Sequence, residues 1–388
     1  MMGKWNYTKL GKICTIERGG SPRPIDKFIT DAPDGINWIK IGDTTDSMYI
    51  TETAQKIRPE GMRKSRYVEP GEFLLSNSMS FGRPYILKID GCIHDGWLVL
   101  RDENNLFDKR FLYYYLSSPS TFQKLKNMAV GGVVNNLNSE MVRGLVVPVP
   151  EIEEQNQIGD TLDKISELIS LRRQQIEKLD ELVKARFVEL FGHQSHNEKN
   201  MPYGKIDDVA EIYLGLTHTP TYVEDGVKFI SAKNTSCDYL DLSDVKYISR
   251  EEFEKAPKGT KPQIGDVLFS RVGSNLGHPV ILDVDEELCT FVSLGFLRAK
   301  GQVTNVYLKH WMRDDFFAEQ VEQKVVGGGQ PNLNTGWLKE FKIIIPPMAL
   351  QNEFASFVEQ TDKSKSEIQK SLEKLEELKK SLMQKYFG

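Results

Sequence analysis

Two pairs of residues have the types and spacing that could hold a metal: Cys92 with His94, and His193 with His196. A structural zinc site needs four such ligands converging. His193-x-x-His196 has no cysteine beside it and reads as part of a polar linker. Cys92-x-His94 reads as a strand carrying one buried thiol. Gly19-Gly20-Ser21-Pro22 and Gly327-Gly328-Gly329 could cradle a phosphate with backbone N–H groups, but such clusters are turns by default. The chain has no G-x-x-x-x-G-K-[ST] loop for ATP hydrolysis, no G-x-G-x-x-G after a strand and no H-E-x-x-H. It also lacks an Asn-Pro-Pro-Tyr/Phe segment of the kind that positions an amino group for methyl transfer. With no catalytic constellation, the chemistry to look for is binding.

The elements that must present any binding surface are legible from a duplication. Ile176-Glu177-Lys178-Leu179-Asp180-Glu181-Leu182, running on to Phe191-Gly192, returns 196 residues later as Leu372-Glu373-Lys374-Leu375-Glu376-Glu377-Leu378, ending at Phe387-Gly388. The same shift maps Pro150 onto Pro346, Gln155-Asn156 onto Gln351-Asn352 and Leu137-Asn138 onto Leu333-Asn334. So long a period is a duplicated half-molecule, not a solenoid. The expected order is a globular domain over 1–150, a helix over 151–192, a second globular domain over 193–346 and a second helix over 347–388. Strands are expected around Trp38, Phe73–Ser76, Tyr85–Leu87 and Trp97–Leu100, with helices at Lys109–Leu116 and Ser120–Met128. The second domain repeats this plan around Phe229 and Val267–Ser270, with helices at Tyr307–Asp314 and Phe316–Val325.

In the long helices apolar residues recur in a 4-3 pattern: Ile158, Leu162, Ile165, Ile169, Ile176, Leu179, Val183 and Leu190. The second helix keeps the phase with Phe354, Val358, Ile368, Leu372, Leu375, Leu382 and Tyr386. Arg172, Arg186, Thr361, Lys365 and Lys379 interrupt the two seams. Such a seam wants a partner helix, and the other copy is the nearest. Pseudo-twofold symmetry would pair them antiparallel, with a globular domain at each end. About 40 residues gives a spacer of roughly 60 Å.

Composition sets bounds. The chain has 388 residues, 39% hydrophobic and 27% charged, with net charge −5. No apolar run approaches the ~20 residues of a membrane span. The four scattered cysteines fit buried, reduced thiols and a cytoplasmic location. A free-standing nucleic-acid binder is usually basic, so positive charge here must be local or supplied by a partner.

The duplicated order of variable α/β domain and long helix resembles the specificity subunit of type I restriction–modification systems, over the whole chain. The resemblance rests on Gly19-Gly20-Ser21-Pro22 echoed by Gly215-Leu216-Thr217-His218-Thr219-Pro220, and on Trp38-Ile39-Lys40-Ile41-Gly42-Asp43 echoed by Phe229-Ile230-Ser231-Ala232-Lys233-Asn234. It rests also on Gly265-Asp266-Val267-Leu268-Phe269-Ser270-Arg271 and on the Pro-x-x-x-x-Gln-Asn entry to each helix. It implies an α+β fold: two α/β target-recognition domains separated by two long antiparallel coiled-coil helices. It further implies that each domain reads half of a bipartite double-stranded DNA site. Two methyltransferase subunits would dock on the spacer, and motor-nuclease subunits could join. S-adenosylmethionine, ATP and Mg would belong to those partners, and this chain would need no cofactor or metal. Two dissimilar domains imply an asymmetric site. A fused single-chain methyltransferase would need motifs that are missing. A coiled-coil scaffold with protein-binding end domains is the alternative.

On that reading, base edges call for Arg, Lys, Asn and Gln, helped by Ser, Thr and Asp. The candidates in the first domain are Arg23, Lys40, Asn77, Ser78 and Arg83, with Arg18 and Lys27 as phosphate contacts. Those in the second are Thr217, His218, Lys233, Asn234, Arg271, Ser274 and Asn275. Asn136 and Gln330 flank the glycine turns. Arg172, Arg173 and Lys184 are candidate contacts for a docked methyltransferase.

Overall fold

The computed structural model describes residues 5–77, 81–129, 136–273, 275–324 and 332–388. Its contacts divide the chain into two compact units, Met1–Arg173 with Gln369–Gly388, and Gln174–Ile368. Each unit therefore holds one globular domain, the start of one long helix and the end of the other.

The first domain has two five-stranded sheets. One orders Thr15–Arg18, Trp97–Arg101, Phe73–Ser76, Pro84–Leu87 and Tyr49–Ile50. The other centres on Ile36–Ile39, which pairs in parallel with Gly91–Ile93 so that Trp38 faces Cys92. A separate two-stranded ladder joins Asn6–Lys9 to Val146–Val149. Phe73–Ser76 and Trp97–Arg101 lie between other strands and are almost wholly buried. Both faces are packed, Phe73, Leu75, Leu98 and Leu100 in one core and Leu74, Trp97 and Val99 in another, which accounts for the apolar runs Phe73–Leu75 and Trp97–Leu100. The helices Lys109–Ser117 and Pro119–Ala129 follow, the first capped by Asp108, whose carboxylate accepts from the backbone of Arg110 and Phe111.

The second domain repeats this with two four-stranded sheets. Ala210–Leu214, Leu294–Ala299, Val267–Ser270 and Pro279–Ile281 form one. In the other, Val227–Ile230 pairs in parallel with Leu288–Thr290, setting Phe229 opposite Cys289. The helices here are Asn305–Trp311 and Asp315–Glu322. One ion pair is duplicated as well. Arg101 binds Glu72 in the first domain, and Arg298 binds Asp266 at 2.7 Å in the second. Glu17 also pairs with Arg101, whereas Arg298 lies 5.1 Å from the centre of the Tyr213 ring.

The long helices are Ile152–Phe191 and Met348–Phe387. Within each unit their segments run antiparallel. In the second unit Asp180 meets Lys365 at 2.5 Å, and Phe187 meets Phe354 at 5.4 Å between ring centres. In the first, Arg173 meets Glu376 at 2.6 Å. Ile158, Leu162, Ile165, Ile169, Val183 and Leu190 are buried as the 4-3 pattern requires, as are Phe354, Val358 and Leu372. The polar interruptions are accommodated locally. Thr361 donates to Phe357 O at 2.9 Å, Lys365 takes Asp180, and Arg186 bridges Glu189 and Glu353.

Burial of the cysteines holds for three. Cys14, Cys92 and Cys289 are buried, and burial pushes the Cys14 thiol up to about 12 and the Cys92 thiol up to about 11. Cys237 corrects the expectation: it lies in the irregular stretch after Ala232–Thr235 and is exposed. No described helix is long and apolar enough to cross a membrane.

Candidate nucleic-acid interface

The glycine motif marks where one chain segment crosses another. Gly19 N donates to Trp97 O at 2.9 Å and Gly20 N to Ile93 O at 3.1 Å. A Cβ on Gly19 would lie 2.1 Å from His94 O. In the second domain Gly215 N donates to Leu294 O at 3.2 Å and Leu216 N to Thr290 O at 2.8 Å. A Cβ on Gly215 would lie 2.2 Å from Phe291 O. The glycine is needed for close approach. These contacts also fix the equivalence of the two domains: Ile93 with Thr290, His94 with Phe291, Asp95 with Val292 and Trp97 with Leu294.

The segments His94–Gly96 and Phe291–Ser293 are clamped from behind by another equivalent pair. Asn77 follows the strand Phe73–Ser76 and Arg271 follows Val267–Ser270. Asn77 N donates to Gly96 O at 2.9 Å and Arg271 N to Ser293 O at 2.8 Å. Their side chains do the same job with different chemistry. Asn77 Nδ2 donates to Asp95 O at 2.9 Å, and Arg271 Nη1 donates to Val292 O at 2.9 Å. Arg271 Nε also reaches Leu333 O at 3.1 Å, and Nη2 reaches Asn332 Oδ1 at 3.4 Å. Burial lowers the Arg271 pKa, and no carboxylate pairs with it among the described residues.

This placement corrects three of the candidates for base contact. Asn77 is 1% exposed, Asn234 3% and Arg271 9%. Their donors are committed to carbonyls inside their own domains. Asn234 Oδ1 caps the turn Ala232–Thr235 by accepting from Ser231 N at 3.0 Å, and its Nδ2 donates to Asp241 O at 2.9 Å and Asp244 O at 3.1 Å. Asp43 caps the equivalent turn, accepting from Lys40 N at 2.7 Å.

The other described candidates lie at or near the surface. Arg18, Arg23, Lys27, Arg83, Thr217, His218, Lys233, Asn275 and Asn136 are exposed, and Lys40 is half-buried. Arg18 Nε donates to Asp95 O at 2.9 Å. Arg23, with its side chain 80% exposed, lies 3.4 Å from the Asp95 carboxylate. Lys40 donates to Gln55 Oε1 at 2.8 Å, and Lys233 pairs with Asp244 at 2.9 Å. The fold thus gathers Arg18, Arg23 and Asn77 around Asp95, with Arg83 joined to the clamp's strand through its N–H on Ser76 Oγ at 2.9 Å. Ser78, Ser274 and Gln330 fall outside the described residues, as do Gly131-Gly132 and Gly327-Gly328-Gly329, the glycine runs near Asn136 and Gln330.

Asp95 itself was not signalled by residue type, because an acid is a weak prior for a surface facing phosphates. Ser21 Oγ donates to its carboxylate at 2.8 Å and holds its pKa below the usual range. His94 packs its ring near Trp38 and Trp97, and burial lowers its pKa. Two basic side chains beside a carboxylate make a surface suited to hydrogen-bonded recognition of a polar edge.

Comparison with known proteins agrees with this architecture. The family model described as type I restriction modification DNA specificity domain matches residues 2–181 and 198–380, one copy per repeat. The chain belongs to that family. It is similar to the type I restriction enzyme MjaVIII specificity subunit of Methanocaldococcus jannaschii, 22% identical over 98% of this chain and 91% of the relative. It is also similar to the EcoBI specificity subunit of Escherichia coli, 20% identical over 99% of this chain and 85% of the relative. Among solved structures, one described under complex assembly and conformational transition of the type I R-M system aligns with TM-score 0.60 and 16% identity, covering 99% and 97% of the two chains. The type I restriction-modification S subunit from M. genitalium aligns with TM-score 0.55 and 15% identity, covering 100% and 98%. At such identities the structures speak for the fold.

Proposed function

We infer that this chain is the sequence-specificity subunit of a type I restriction–modification complex, binding double-stranded DNA through its two globular domains. The observation that carries the reading is the duplicated scaffold. Gly19 and Gly215, Asn77 and Arg271, and the carbonyls of Asp95 and Val292 build the same frame twice. The surface side chains on the two frames differ. Two frames with different faces suit two different half-sites, and hence an asymmetric site.

The long helices serve as the spacer between reading heads, and two methyltransferase subunits dock along them. Restriction subunits join for cleavage. Methyl transfer and ATP-driven cleavage belong to these partners, together with S-adenosylmethionine, ATP and Mg. A net charge of −5 accords with partners supplying much of the phosphate contact.

The test is a methylome. The chain is co-expressed with its cognate methyltransferase in a host free of DNA methylation, and modified adenines are mapped by single-molecule sequencing. A bipartite, asymmetric motif with a constant gap is expected. A stable complex that leaves no motif would overturn the reading.

A further inference from the structure

Positions 95 and 292 combine a constant backbone with a changed side chain. Their carbonyls are held in the same way, by Asn77 Nδ2 and Arg271 Nη1, each at 2.9 Å. The residue before each meets the glycine that both repeats share, Gly19 or Gly215, and the residue after each accepts the N–H of the clamping residue. The side chains are Asp in one repeat and Val in the other, and both residues are partly solvent-exposed. The frame forms with either, so the fold does not require a carboxylate at this place. A residue fixed by its backbone and free in its side chain meets the requirement for a reading position: rigid placement with variable chemistry.

We propose that Asp95 and Val292 are equivalent specificity-determining residues, one in each recognition domain. The proposal rests on the specificity-subunit reading above. The Asp95 side chain is 46% exposed. Ser21 fixes one carboxylate oxygen at 2.8 Å, and Arg23 reaches the other only at 3.4 Å, so acceptor capacity remains on the open side. An ionised carboxylate gains nothing from phosphates but accepts from an exocyclic amino group of cytosine in the major groove. Arg18 and Arg23 flank it and offset its repulsion from the backbone. Val292 has no hydrogen-bonding side chain, and its N–H donates to Leu216 O at 2.9 Å. An apolar group there suits the thymine methyl.

The experiment compares methylomes of the wild-type chain, Asp95→Val, Asp95→Asn and Val292→Asp, each co-expressed with the methyltransferase, with melting temperatures of the purified complexes. Asp95→Val should relax one base position of one half-site by about tenfold or more and leave the other half-site unchanged. Val292→Asp should alter one position in the opposite half-site. Asp95→Asn keeps a carbonyl acceptor and should retain the preferred base with weaker discrimination, which covers the case in which the valine variant fails to fold. Unchanged preference in all three variants would overturn the assignment. So would an equal loss of methylation at every sequence with an unchanged melting temperature. The wild-type methylome is read first: no motif there refutes the specificity reading itself, whereas a wild-type motif untouched by the substitutions refutes only the assignment of these two positions.

Discussion

The side-chain carbonyl of Gln155 accepts the backbone N–H of Asp108 at 2.9 Å, pinning the first turn of a 40-residue helix to the cap of a domain helix. Its Nε2 donates to Leu106 O and Pro150 O, both at 2.9 Å. Gln351 does the same, accepting from Thr304 N at 2.7 Å and donating to Gln302 O at 3.1 Å and Pro346 O at 2.8 Å. Both glutamines are fully buried. The Pro-x-x-x-x-Gln spacing is therefore a joint between helix and domain.

Replacing Gln155 by Leu removes all three hydrogen bonds and leaves the buried Pro150 carbonyl without this partner, at about 1–3 kcal/mol for a buried group left unsatisfied. Gln155→Glu should also destabilise, since a carboxylate cannot donate to Leu106 O or Pro150 O. Hydrogen exchange on the complex should show loss of protection at the start of Ile152–Phe191, and Gln351→Leu should do the same for Met348–Phe387.

Phe387 closes the first unit. Its ring meets Phe111 at 5.6 Å and Tyr115 at 5.8 Å, and Phe191 meets Tyr307 at 4.9 Å in the equivalent place. Phe387→Ala should cost about 3–5 kcal/mol. Trp5 lies 6.1 Å from Phe111, so tryptophan emission during urea unfolding reads the loss.

Arg271→Ala should act on stability before sequence preference. Three hydrogen bonds from a buried guanidinium are lost, each worth about 1.5–3 kcal/mol for a charged donor. The expected result is a lower melting temperature of the second unit and loss of methylation over all sequences together. Arg271→Gln, which keeps one donor, should recover part of it. A change confined to one base position with no loss of stability would return Arg271 to the base contacts.

His310 makes the second unit acid-sensitive. Burial, followed by the charges of Arg313, Lys309 and Lys365, lowers its pKa to about 3. Its Nε2 is buried with no hydrogen-bond partner among the described residues, and its ring meets Phe354 at 5.0 Å. The folded state holds it neutral, while the unfolded chain takes up a proton near pH 6.5. This contribution is thus complete above pH 6.5 and falls by about 1.4 kcal/mol per pH unit below it, until the folded-state pKa is reached. His310→Phe should flatten stability between pH 6.5 and 5, measured by urea midpoints at each pH.

Thiol titration of the native protein should find one fast-reacting cysteine, Cys237, and four after denaturation. Fast reaction of more than one would place Cys14, Cys92 or Cys289 nearer solvent than their burial allows.

The duplication, the order of domains and helices and the phase of the apolar seams were determined by the sequence by itself, because each depends on spacing along the chain. The 196-residue shift carries Gln155 onto Gln351 whatever the fold around them. Residue type alone also found the neighbourhood of the candidate interface, at Arg18, Arg23 and the strand-end position 77. Only the tertiary structure decided which polar side chains are free to act. Asn77 and Arg271 looked like readers, but they are spent on carbonyls 18 and 21 residues further along the chain, and Arg271 also on one 62 residues away. Asp95 looked like a poor one and stands at the centre of the cluster. Exposure and hydrogen-bond satisfaction depend on which distant segments fold against a residue, and a residue's type and its near neighbours carry no record of that.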